Sequence, residues 1–221
     1  MTVDQKTRTA TILAVLMHLA GLILILIGAN KVFETLTPFN LVVMFFLVIY
    51  TAPGDKNKFL LFLFIAILAG FFSEMIGVQT GLLFGNYTYD HIMGPKWNGV
   101  PFLIGLNWFI VVYASGMVAT KINLMLADFL PVRAAYSRWF GFSLILDGAL
   151  LATLFDWIME PAAIHLGFWT WDDGHIPLLN YLSWFLISLL LLTLFRTLKL
   201  KYHPFATNLL LIQALFFLLI R

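Results

Sequence analysis

Between Asp147 and Trp171 the chain reads DGALLATLFDWIMEPAAIHLGFWTW, setting Asp147, Asp156 and Glu160 in or beside an otherwise apolar helix. An ionised carboxylate near a bilayer centre costs about 3 kcal/mol on insertion scales, so three in one stretch call for a reason. Asp156 and Glu160 are four residues apart and share one helical face. Pro161 lacks an N–H and restricts the residue before it, so the helix is expected to end near Glu160 with an aromatic loop beyond. A carboxyl group kept protonated by its surroundings can act as a general acid. The catalytic candidates are therefore Glu74, Asp156 and Glu160. Each alone is equally well explained as a solvated carboxylate at an interfacial helix end; their convergence on one side favours the acid. Asp147 lies deeper and is better read as a hydrogen-bonding partner between helices.

Around these carboxylates lie Tyr87, Tyr89, Trp97, Trp108, Trp157, Trp169, Trp171, Tyr181 and Trp184. Tyrosine and tryptophan form interfacial belts in any membrane protein. The alternative is a pocket whose ring faces stabilise a developing cation. Trp157 beside Asp156 and Trp108 beside Asn107 are the two best placed by sequence to do both. The substrate-binding candidates are Asn107, Trp108, Tyr87, Tyr89, Asp90, Trp157, Trp169, Trp171, Asn180 and Trp184.

Other chemistries lack their residues. The chain has no cysteine, which removes thiolate metal sites, disulfides and nucleophilic thiols. His18, His91, His165, His175 and His203 are scattered and form no HxxxH or HxxHH box, so no metal site is expected. No Gly-rich dinucleotide fingerprint occurs. Asp172-Asp173 lacks the third Asp of a DDxxD box for magnesium-dependent prenyl transfer. Acid–base chemistry without a cofactor is the enzymatic option left.

The elements that must position these residues are membrane spans. Of 221 residues 62% are hydrophobic and 11% charged, and mean hydropathy is +0.94. A soluble domain carries about 25% charged residues. A net charge of +2 argues against a nucleic-acid partner. The expected fold is all-α: a single integral-membrane domain, residues 1–221, with about seven spans at about 20 apolar residues each. They are Thr9–Ala29, Pro38–Ala52, Phe59–Ile76, Val100–Ala119, Ser137–Glu160, Asn180–Leu198 and Phe205–Ile220, with Ile122–Leu130 as an added interfacial helix. Thr9–Ala29 is too long for a signal-peptide core and is read as the first span. The second is short; it begins earlier or is re-entrant.

With seven spans and the N-terminus inside, Lys6, Arg8, Lys56, Lys58, Lys121, Arg133, Arg138, Arg196, Lys199 and Lys201 are cytoplasmic, against Lys31, Lys96 and Arg221 outside. A re-entrant second segment with the N-terminus outside gives nine to four. In both arrangements the loops Gly77–Gly99 and Pro161–Leu179 share the non-cytoplasmic side, and Glu74, Asn107, Asp156, Glu160, Asn180 and Trp184 fall in that half. The expected location is the cell membrane.

Two blocks carry a resemblance. FGNYTYD (Phe84–Asp90) followed by MGPKWNGVPFLIGLNW (Met93–Trp108), and DWIMEPAAIHLGFWTW (Asp156–Trp171) followed by IPLLNYLSWF (Ile176–Phe185), are similar to the carotenoid biosynthesis membrane proteins. That family includes the carotenoid 1′,2′-hydratases of the γ-carotene and bisanhydrobacterioruberin types. The blocks cover somewhat under a quarter of the chain. The resemblance implies addition of water across the terminal C1′–C2′ double bond of a membrane-dissolved polyene, giving a tertiary alcohol. On chemical grounds Glu160 or Asp156 is the proton donor and Glu74 the group that orients water, with Asn107 and Asn180 positioning water or the end group. A cyclase or isomerase shares the first step. A proton-coupled transporter and a non-catalytic carotenoid-binding protein are the other classes, and pathway enzymes are candidate partners besides the bilayer.

Overall fold

A computed structural model describes residues 2–129 and 133–220. Its helices are α1 Val3–Leu26, α2 Asn30–Thr51, α3 Lys56–Thr80, α4 Leu103–Phe129, α5 Arg133–His165, α6 Leu178–Leu198 and α7 Pro204–Leu219. Short strands sit in two connections: β1 Tyr87–Tyr89, β2 Lys96–Trp97, β3 Val100–Pro101 and β4 Trp169–Trp171. Among the described residues, α1 to α6 are long and apolar enough to cross a membrane, while α7 has 16 residues. The result is an all-α bundle whose lipid-facing surface is studded with leucine, isoleucine and phenylalanine.

Helix ends follow from local chemistry. Thr2 caps α1 in a reciprocal box with Gln5. Asp55 accepts from the Asn57 and Lys58 amides to open α3. Gly81, at φ 66°, closes α3 in the left-handed conformation that a side chain would resist. Pro204 opens α7, where its missing N–H costs nothing.

Both helix-breaking prolines lie inside helices. Pro38 sits within α2, which begins at Asn30 and spans 22 residues, or about 33 Å, enough for the hydrocarbon core. The second span is thus a full helix. Pro161 does not end α5, which continues to His165. A proline removes one hydrogen bond, whereas stopping would leave a whole turn of carbonyls unpaired in apolar surroundings. The expected interfacial helix at Ile122–Leu130 is the last part of α4, as far as Phe129; Leu130 lies outside the described residues. So do Arg221 and the side chains of Arg133 and Arg138, three of the cations used to orient the chain.

Helix α4 is the hub. Of its best spanning window 72% is buried, against 17–39% in the other five spans. It packs against α3, α5 and α7, and also touches α2 and α6. Gly70 lets α3 come close: a Cβ there would lie 2.3 Å from the Trp108 Cβ. Strands β1 and β4 pair antiparallel with Tyr87 opposite Trp171, Thr88 opposite Thr170 and Tyr89 opposite Trp169. That ribbon ties the α3–α4 connection to the α5–α6 connection at one end of the bundle.

Candidate active site: an acid cluster walled by indoles and phenols

The sequences YTY and WTW alternate ring, hydroxyl, ring. Side chains alternate across a strand, so the pairing turns all four rings to one face, where they are buried, and leaves Thr88 and Thr170 exposed. Each strand serves a different carboxylate. From β1, Tyr87 donates to Glu74 Oε2, as does Tyr89 at 2.7 Å. From β4, Trp169 and Trp171 both donate to Glu160 Oε2 at 3.0 Å. Burial, and then the charge of Glu74, hold both phenols well above the usual tyrosine value. They therefore stay donors at any pH the protein meets.

The helices complete the cluster. Trp108 on α4 donates its Nε1–H to Glu74 Oε1 at 2.7 Å and stacks on Trp184 of α6, ring centroids 3.7 Å apart at 8°. Asn180, in the first turn of α6, donates through Nδ2 to Asp156 Oδ2 at 2.7 Å and to Glu160 Oε1 at 3.4 Å. Glu74, Asp156 and Glu160 are 4%, 1% and 2% exposed, so all three are taken out of solvent. Their hydrogen-bond supply is unequal. Glu74 receives three donors and Glu160 three, one of them long; Asp156 has only Asn180 among the described residues.

Two cavities meet here. One, of about 20 Å³, lies among Glu74, Asp156, Glu160, Asn180, Phe84, Ile104 and the rings of Tyr87, Tyr89, Trp169, Trp171 and Trp184. That is room for about one water, which needs roughly 10–15 Å³ and several polar partners. Among the described residues no lysine or arginine lines it. The second is an apolar groove of about 260 Å³ between α1, α2, α4 and α7. Its rim includes Leu36 and Phe39, which are also exposed on the outer surface. Met159 and Trp169 line both cavities and form the partition between them.

Of the residues expected at the site, Glu74, Asp156, Glu160, Tyr87, Tyr89, Trp108, Trp169, Trp171, Asn180 and Trp184 come together. Three do not. Asn107 lines the apolar groove instead, because it neighbours Trp108 on a helix and consecutive side chains point about 100° apart. For the same reason Trp157, next to inward-facing Asp156, is turned outward and is 45% exposed. Asp90 accepts from Thr170 Oγ1 at 3.1 Å on the outer side of the ribbon. Phe84, Ile104 and Met159 were not anticipated. Ile104 and Met159 carry a usable signal, four residues before Trp108 and three after Asp156, hence on the same faces.

Other polar groups are buried away from this end. His203 is fully buried just before α7, with Nε2 2.9 Å from Thr51 Oγ1 and Nδ1 3.2 Å from the Tyr113 hydroxyl. The Thr51 hydroxyl already donates to the Leu47 carbonyl at 2.6 Å, so the ring donates from Nε2 and accepts at Nδ1 from Tyr113. Burial lowers the His203 pKa to about 4. Asp147 contacts Ser143 on its own helix, and Ser143 lies 3.2 Å from Asn123 Oδ1 of α4. Ser143 and Asn123 thus link α4 and α5, whereas Asp147, expected to bond between helices, reaches only its own helix among the described residues.

Six spanning-length helices and a buried acid pocket walled by indoles and phenols define a polytopic membrane protein with an internal site. Residues 14–220 match the family model described as carotenoid biosynthesis protein. The chain belongs to that family and is an integral membrane protein of carotenoid biosynthesis. It is also 29% identical over 126 residues to a bisanhydrobacterioruberin hydratase of Haloarcula japonica, an alignment covering 55% of this chain. The match spans 39% of that relative's length. No solved structure matches the chain.

Proposed function

We propose that the protein adds water across the terminal C1′–C2′ double bond of an acyclic carotenoid end group. The observation that carries this reading is the partition: a water-sized pocket lined by three carboxyl groups shares Met159 and Trp169 with an apolar groove open to lipid. Water and a hydrocarbon are thereby held on either side of two side chains. The family and its hydratase relative support a carotenoid as the molecule in the groove. The exposed rim at Leu36 and Phe39 suits lateral entry from the bilayer, with the rest of the polyene left in lipid.

Like charges in one buried site resist joint ionisation, and no basic side chain among the described residues lines the pocket, so one carboxyl carries a proton at rest. Asp156 is the donor we assign, since a lone hydrogen bond from Asn180 supports its anion least. Its proton goes to C2′ as the π bond breaks, leaving a tertiary cation at C1′. Glu74, its oxygens committed to three donors, is a fixed anion that stabilises this cation together with the ring faces. Water in the small pocket supplies the electron pair to C1′. Glu160, on the same Asn180 amide, takes the proton that water loses. Transfer of that proton to Asp156 resets the site, and the net change is one water added. Asn107, in the groove beside Trp169, orients the end group.

A pocket of about 20 Å³ suits a water better than the internal alkene a cyclase would bring to the cation. By the positive-inside rule the ribbon end faces away from the cytoplasm of the cell membrane. Cells expressing the chain and supplied with lycopene or γ-carotene should form a product heavier by one water. An isomer of unchanged mass would replace hydration by cyclisation, and unaltered substrate would refute both.

A further inference from the structure

The apolar groove is not wholly apolar. Gln213 on α7 is 7% exposed, yet its Oε1 has no hydrogen-bond partner among the described residues, and neither has Oδ1 of Asn40 on α2. Both residues line the groove, with His18 of α1. His18 donates from Nδ1 to the Ala14 carbonyl at 2.7 Å, so in the neutral ring Nε2 is an acceptor. Three helices thus bring acceptors to one cavity, six to ten residues from the ribbon end, or about 9–15 Å deep. An unpaired buried acceptor is costly, the more so in lipid. A hydrocarbon ligand has no O–H to offer them; an alcohol has one.

We propose that Asn40, Gln213 and His18 form a hydroxyl-recognition site in the groove that receives a polyene alcohol, the product of hydration, as its end group draws back from Met159 and Trp169. This rests on the hydratase reading for its physiological ligand. Its consequence is a preference for product over substrate in the groove, which draws the new alcohol away from the acid that could dehydrate it again. The amide N–H groups of Asn40 and Gln213 are available to donate to the same oxygen, so the site matches both faces of a hydroxyl.

The test separates binding from turnover. In Asp156→Asn protein in lipid nanodiscs, quenching of tryptophan fluorescence is titrated with lycopene and with its 1-hydroxy-1,2-dihydro derivative. The alcohol should bind about tenfold more tightly, the worth of one well-made buried hydrogen bond. Adding Asn40→Leu and Gln213→Leu should bring the two affinities to parity. Glu160→Gln serves as a second background should the first not insert. Equal affinities before the leucine changes, as expected if water fills these positions, overturn the proposal, as does a preference that survives both. Wild-type protein that prefers the alcohol but never makes it would refute the hydratase reading and leave the recognition site standing.

Discussion

The two ends of the bundle each bury a polar cluster that bridges helices, and they differ in how donors and acceptors balance. At His203 both ring nitrogens are matched: the ring donates to Thr51, accepts from Tyr113, and lies against Phe205. At the ribbon end three carboxyl groups share donors unevenly, no basic side chain among the described residues lines their pocket, and a water-sized space adjoins them. Buried polarity alone does not distinguish a site from a structural pin. An imbalance next to a cavity does, because it leaves a proton to move and room for a reactant.

That contrast can be broken most directly at its two centres. Asp156→Asn should keep the shape and the Asn180 contact yet reduce hydration by about 10²–10⁴-fold, measured as product per inserted protein. His203→Gln should lower stability while leaving turnover per folded molecule near wild type. Loss of turnover only in the second would invert the assignment of the two ends.

The closed cluster also has its own pH signature. Folded His203 titrates near 4 and the unfolded side chain near 6.5, so below 6.5 the unfolded chain takes up a proton that the folded one refuses. Its contribution to stability is therefore full above 6.5 and falls by up to about 3 kcal/mol as the pH drops towards 4. Thermal unfolding in detergent from pH 7 to 4.5 should show this fall in wild type and a shallower one in His203→Gln. Parallel slopes would mean that the ring is not the titrating group.

The smallest effect sharpens the comparison within the acid end. Gly70→Ala pushes into Trp108, the donor to Glu74, so overpacking should cost about 1–3 kcal/mol and lower turnover with it. Trp157→Phe, outward on the neighbouring helix, should change turnover less than twofold despite sitting beside Asp156. Equal losses from both would show that the pocket walls are not what matters.

The spacing of Asp156 and Glu160 was legible because four residues on a helix fix a common face, and the side shared by the two aromatic loops was legible from hydropathy and charge. Which member of an adjacent pair turned inward was not: Asn107 and Trp108, or Asp156 and Trp157, are separated only by helix phase, and a helix apolar all round carries little phase information. The ribbon was hidden because three residues are too few to register as a strand, although YTY and WTW hold the alternation that pairs them. Pro161 misled because its local cost is outweighed by the need to complete backbone hydrogen bonding in the membrane. His203 gave no sign at all, since its partners come from α2 and α4.

The ribbon also carries a timetable. Strand β1 is made first, and β4 follows only after α4 and α5 have been synthesised. Until both are in place, Glu74 lacks its fixed orientation and Glu160 lacks both indoles. The carboxyl cluster therefore cannot be assembled in a half-inserted chain: Glu160 waits for β4, and Asp156 for Asn180 on α6, which is made later still. A one-residue deletion on either strand would exchange rings for threonines and silence the site without removing a single carboxylate.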